Sequence, residues 1–140
     1  MADLRIELPS VVAVLAPAGV CDRLEPPPDA SLLRIAPREV MFVGPVDVSA
    51  VTALVGASGL VADVSDGWVG LVLDGDDAPE VLARISELEL PDRGWIQGEV
   101  ARAAAKVLVE PGRITVLVPA MLAAHVEERI RADAAEVVGS

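Results

Sequence analysis

The chain has no tyrosine, one phenylalanine, two tryptophans, one cysteine and one histidine in 140 residues. A core without large rings must be built from Val, Leu, Ile and Ala, and a hydrophobic content of 53% suffices for one domain of ordinary size. The lone Cys21 excludes an intramolecular disulfide and a thiolate metal cluster, and reads as a small buried or loop residue rather than a reactive thiol. The lone His125 lacks the partners that a metal site or an acid–base pair requires. Positive charge is scarce: 11 Lys and Arg against 22 Asp and Glu give a net charge of −11. Nucleic-acid backbones and anionic membrane surfaces both reward positive charge, so neither is expected as a partner. No apolar run approaches the roughly 20 residues that span a bilayer. Asp3 and Glu7 near the start, and Pro17 after Val11 to Ala16, are unlike a secretory leader, so the expected location is the cytoplasm.

What the sequence has is regular pattern, centred on residues 60–88. Leu60 to Val64 reads as a strand, Ser65-Asp66-Gly67 as a turn, and Trp68 to Leu73 as a second strand with Val69, Leu71 and Leu73 on one face. Asp77 and Glu80 have the spacing of a capping box, with Pro79 in the first turn. Ala78, Val81, Leu82 and Ile85 then form one apolar stripe of a helix. Gly67 and Gly75 are read as turn positions with positive φ.

Elsewhere, Val11 to Ala16 suits a strand. Residues 17–29, with Pro26-Pro27-Pro28, suit a loop. Leu32 to Ile35 and Val40 to Val43 form a hairpin, Asp47 caps a helix over Val48 to Val55, and Gly56 stops it. The stretch from Gly94 to Val109 is read as extended despite its alanines. A turn at Pro111-Gly112, a strand over Ile114 to Val118 and a helix from Met121 to about Ala135, lined by Leu122, Val126 and Ile130, complete the chain. The order strand, strand, helix occurs three times. The expected class is therefore α+β: a mainly antiparallel sheet with helices on one face, residues 1–30 forming a lead and Pro-rich loop and residues 31–140 one domain.

The order D-V-S-D-G from Asp63, an alternating strand, G-D-D-A from Gly75 and then Val81-Leu82 resembles the aminomethyltransferase-like, folate-binding superfamily, which includes the glycine cleavage T-protein. Val118-Pro119 followed by a helix from Met121 to Ile130 is similar to the end of the sarcosine oxidase gamma subunits, and the resemblance spans about residues 31–133. Departures are specific. Where T-proteins carry an acidic pair that acts on folate, this chain reads Glu110-Pro111-Gly112-Arg113. Cys21 lies outside the region of the cysteine motif in related iron–sulfur repair proteins, and Met121 stands where gamma subunits often have Ser.

The resemblance implies a non-catalytic subunit of a complex that oxidatively demethylates sarcosine. Tetrahydrofolate, FAD, FMN and NAD would belong to the other subunits, and no cofactor is expected on this chain. The alternative is a stand-alone small-molecule module of folate-like specificity. No catalytic or metal-binding residue is assigned. Asp63 and Asp66 around Ser65 are read as turn formers, and Asp74, Asp76 and Asp77 as caps, because the twelve-residue calcium loop with its closing Glu is missing. Trp68, Trp95, Ile114 and Val116 are expected at an interface, with larger subunits or with a second copy in a homodimer. Few polar residues alternate along the later strands, which implies that the sheet face away from the helices, or an edge strand, needs a protein cover.

Overall fold

The structure is a computed structural model that describes residues 3–139, with side chains through residue 135. In chain order the elements are β1 (Asp3–Glu7), β2 (Val11–Leu15), α1 (Ala18–Cys21), β3 (Ser31–Ala36), β4 (Glu39–Val43), α2 (Val48–Val55), β5 (Leu60–Asp63), β6 (Trp68–Asp74), α3 (Ala78–Ala83), β7 (Gly94–Val100), β8 (Ala103–Glu110), β9 (Arg113–Pro119) and α4 (Ala123–Gly139). The class is α+β, as expected. The strands form two antiparallel sheets rather than one, ordered β1-β6-β9-β8-β7 and β3-β4-β2-β5.

These sheets belong to two compact units, one made of Met1–Leu8 and Gly67–Ser140, the other of Pro9–Asp66. The division therefore falls after Leu8 and Asp66 and not at residue 30. The N-terminal lead contains a strand, β1, whose Leu4 and Ile6 lie opposite Leu73 and Leu71 of β6.

In the first unit, α3 and α4 cover one face of the five-stranded sheet. Val81 and Leu82 of α3, with Val126 and Ile130 of α4, pack on Leu71, Leu73, Val107, Ile114 and Val116. Helix α3 keeps the expected stripe but ends sooner than the pattern suggests, and Asp77 accepts no capping bond from its first turn. The capping box is thus not formed. Nor does Gly67 take positive φ, since it closes a short 3-10 turn, whereas Gly75 does, at 135°.

In the second unit, α1 and α2 supply Cys21, Val51 and Val55 to a core with Val12, Val14, Val40 and Phe42. Asp47 caps α2 through a bond from the Ser49 amide to its Oδ1 at 3.0 Å, and Gly56 ends the helix at φ 62°.

On the sheet faces away from these helices, Val72, Leu108 and Leu117 in the first unit, and Val11, Leu33, Met41 and Val43 in the second, alternate with the helix-side residues. These faces are therefore apolar too, as the scarcity of polar residues along the strands implies.

Candidate functional site

Each residue singled out in the sequence has a defined place. Asp63 ends β5, and its Oδ1 accepts from the Ser65 hydroxyl at 2.6 Å and from the Ser65 amide at 2.9 Å. The Ser65 Oγ in turn accepts from the Val11 amide at 2.7 Å. These bonds hold the Asp63 carboxyl below its usual pKa, the Ser65 hydroxyl being the larger cause. The cluster ties the end of β5 to the start of β2, a turn-forming role. Asp74 accepts ion pairs from Arg5 and Arg113, the latter at 2.9 Å, so it links β1, β6 and β9.

Ile114 and Val116 are 2% and 0% exposed in the helix-side core. As they stand they cannot line an interface. They belong to β9, an interior strand whose alternation points them at α3 and α4. Trp68 and Trp95 are half-buried, and the Lys106 ammonium lies 4.7 Å from the centre of the Trp68 ring. Cys21 is buried, with its thiol directed at the Ala16 carbonyl.

His125 has a partner that the sequence does not reveal. Its Nε2 lies 3.0 Å from the Ala101 carbonyl oxygen, which can only accept, so Nε2 carries the proton and donates. Ala101 and Arg102 form the two-residue turn between β7 and β8, both at positive φ, 50° and 68°. Hairpins of this length favour Asn or Gly in such conformations. Here neighbouring elements hold the turn: the Ala101 amide donates to the Ile85 carbonyl at 2.8 Å, while His125 donates to the Ala101 carbonyl. Beside it, the Ser86 hydroxyl donates to the Glu99 carbonyl at 2.7 Å. The segment after α3 is thus stitched to the end of β7.

A groove of about 720 Å³ opens along this seam. Its walls are residues 83–88, Glu99, the Ala101-Arg102 turn and Arg129 of α4. Three arginines, Arg84, Arg102 and Arg129, line it together with Glu87 and Glu99. A smaller hollow of about 320 Å³ lies between the Gly75–Pro79 turn, residues 90–92 and the β8–β9 hairpin. No group of His, Cys, Asp or Glu among the described residues has the arrangement of a metal site. None of the polar or charged side chains among the described residues is buried. No helix among them is long and apolar enough to cross a membrane. The groove brings five charged side chains together, and guanidinium recognition is the chemistry that its arginines supply.

No protein-family profile matches the chain, and no curated protein aligns with it. Solved structures do. The fold is shared with a chain of a sarcosine oxidase. That protein is the heterotetrameric sarcosine oxidase from Corynebacterium sp. U-96, whose structure was solved with pyrrole 2-carboxylate. The likeness covers 96% of this chain and 84% of that one, with a TM-score of 0.81 and 16% identity. The regulatory subunit of aspartate kinase from Thermus thermophilus is more distant, at 14% identity and a TM-score of 0.49 over 94% of this chain and 97% of that one. At that level it carries no argument. At 16% identity the sarcosine oxidase likeness establishes a fold, with functional residues left to be argued from this chain.

Proposed function

We propose that the chain is a non-catalytic subunit of a sarcosine oxidase-like complex, in the position of the gamma subunit. The observation that carries this reading is the near full-length fold likeness to a chain of a heterotetrameric enzyme. Oxidative demethylation of sarcosine, and the flavins, NAD and tetrahydrofolate it uses in such complexes, then belong to larger partner subunits. The composition supports a supporting role: this chain contributes apolar strand surface and small turns rather than converging acids and bases.

An edge strand is the best surface for such a partner. Strand β5 lies at the edge of its sheet, and Leu60 faces Leu15 across it, 72% and 51% exposed. An exposed apolar edge of this kind invites further strand pairing or a protein cover. Trp68 and Trp95, each half-buried, offer additional contact area of the kind enriched in interface hot spots.

The test is affinity capture of the tagged chain from its host, with identification of what co-purifies, beside light scattering across a dilution series. The subunit reading requires a larger flavoprotein in stoichiometric amount, buried through an interface of roughly 1,000 Å² or more. A Leu60→Glu change should release that partner. A chain that remains monomeric at every concentration and captures no flavoprotein refutes the reading.

A further inference from the structure

We propose that the groove between the end of α3, the β7–β8 turn and α4 binds a small polyanion carrying carboxylate or phosphate groups. This site is independent of the subunit reading. Its volume, about 720 Å³, lies within the range of small-molecule sites, roughly 300–1,000 Å³. Its cations come from three separate elements: Arg84 follows α3, Arg102 sits in the turn and Arg129 is on α4. Guanidinium forks bind planar carboxylate and phosphate oxygens in pairs, so several forks along one groove favour a ligand with more than one anionic group.

Charge pairing within the chain supports this assignment. Arg5, Arg34, Arg113 and Arg131 all pair with carboxylates. Among the described residues Arg23, Arg38, Arg93, Arg102 and Arg129 make no ion pair, although the chain carries twice as many acids as bases, and of these only Arg102 and Arg129 share the groove. The groove's five charged side chains comprise three cations and two anions, a local excess of +1 against a whole-chain charge of −11.

The root of Arg102 is also fixed. Bonds from Ala101 to the Ile85 carbonyl and from His125 to the Ala101 carbonyl pin the turn from two sides. Fixing the backbone that presents a guanidinium lowers the ordering cost of binding. Glu87 and Glu99 limit affinity by offering the arginines competing carboxylates, and they favour ligands that bring more charge than a single glutamate does.

The experiment is calorimetric titration of the full chain with pyrophosphate and, separately, with citrate, at low and at physiological salt. Saturable binding at one site is expected for at least one probe. Arg102→Gln and Arg129→Gln should each weaken it by about tenfold or more, the loss of one charge-assisted contact. Glu99→Gln should tighten it. Arg38→Gln and Arg93→Gln, which alter arginines outside the groove, should leave it unchanged. All five positions are exposed, and equal melting temperatures will show that the variants fold alike. Binding of pyrophosphate alone assigns a phosphate ligand, and binding of citrate alone a carboxylate. Failure of both probes to saturate overturns the proposal. So does equal weakening by Arg38→Gln or Arg93→Gln, which marks mere attraction to surface charge.

Discussion

Replacing Gly59 by Ala isolates a steric demand that the backbone dihedral does not impose. Gly59 joins the turn after α2 to β5 at φ −158°, an extended conformation open to any residue. Space, and not φ, demands glycine there. A Cβ would stand 2.5 Å from the Leu15 carbonyl oxygen, 2.7 Å from the Ala16 Cβ and 3.0 Å from a Val55 methyl. The methyl can turn aside. The carbonyl cannot do so cheaply, because Leu15 is paired on both sides, opposite Glu39 of β4 and Leu60 of β5. Overpacking typically costs about 1–3 kcal/mol, and a backbone contact belongs at the upper end, about 3 kcal/mol. Alanine also stiffens the unfolded chain, which returns about 0.4–1 kcal/mol. The net expected loss is about 2 kcal/mol. Urea unfolding followed by far-ultraviolet circular dichroism measures it from the midpoint, with the slope checked for loss of cooperativity. Gly56→Ala is the control: its Cβ meets nothing within 4 Å, yet φ is 62° with ψ −148°, a region almost confined to glycine, so backbone strain alone acts and costs about 1–3 kcal/mol. A loss below 0.5 kcal/mol in the first variant would refute the reasoning, because the approach of the β2 carbonyl would then be yielding.

Other expectations are equally direct. Leu82→Ala empties a fully buried position between α3 and the sheet and should cost about 2–5 kcal/mol in the same assay, and a loss under 1 kcal/mol would remove that stripe from the core. Ser65→Ala should raise the Asp63 carboxyl back toward its ordinary pKa in a carbon-detected titration, since the Ser65 hydroxyl is the main cause of the lowering. As the folded pKa of Asp63 lies below the unfolded one, its contribution to stability is present above the ordinary carboxylate value and fades as pH falls through the folded value. Wild-type protein should therefore lose stability more steeply than Ser65→Ala below that range, and parallel acid curves would contradict the link. The purified chain alone should neither oxidise sarcosine nor transfer a one-carbon unit to tetrahydrofolate, and steady turnover lost on mutating Asp63 or His125 would reverse that expectation.

How far the fold can be read from the sequence depends on whether local chemistry and tertiary environment agree. Helix α2 is legible residue by residue, because the Asp47 cap, the Val51 and Val55 stripe and the Gly56 stop all act locally. Strand β1 is not, since five residues ending in charge read as a polar tail until β6 supplies the partner. The hairpin of β7 and β8 is hidden for the opposite reason. Its turn, Ala101-Arg102, carries none of the Gly, Asn or Asp that mark such turns, so alternation runs through it unbroken. Helix α3 stops at Ala83 although its apolar stripe continues to Ile85. The Ile85 carbonyl accepts from Ala101, and Ser86 bonds to Glu99, so both are committed to the hairpin rather than to another helical turn.

The groove follows from these same illegible features. Arg84 falls where α3 ends early, Arg102 where an unsignalled turn reverses the chain, and Arg129 on the α4 face one turn from His125. In sequence the three are separate surface arginines in an acidic chain, each best read as a solvated charge. Only the hairpin brings them to one seam, and only the tertiary bonds to Ala101 hold that hairpin in an unfavourable conformation. Positive φ at two adjacent non-glycine residues costs about 1–2 kcal/mol each, so a turn without Gly persists only where its surroundings hold it. Glycine at position 102 would relieve that strain and delete the guanidinium together. Arg102→Gly should therefore leave stability within about 1 kcal/mol of wild type, because relief of strain and the added freedom of the unfolded chain oppose each other. The same variant should lose the binding of pyrophosphate or citrate. If instead it unfolds the β7–β8 hairpin, seen as rapid hydrogen exchange at Ala101 and Ala103, the arginine is a structural clamp and the turn is held from its own side chain.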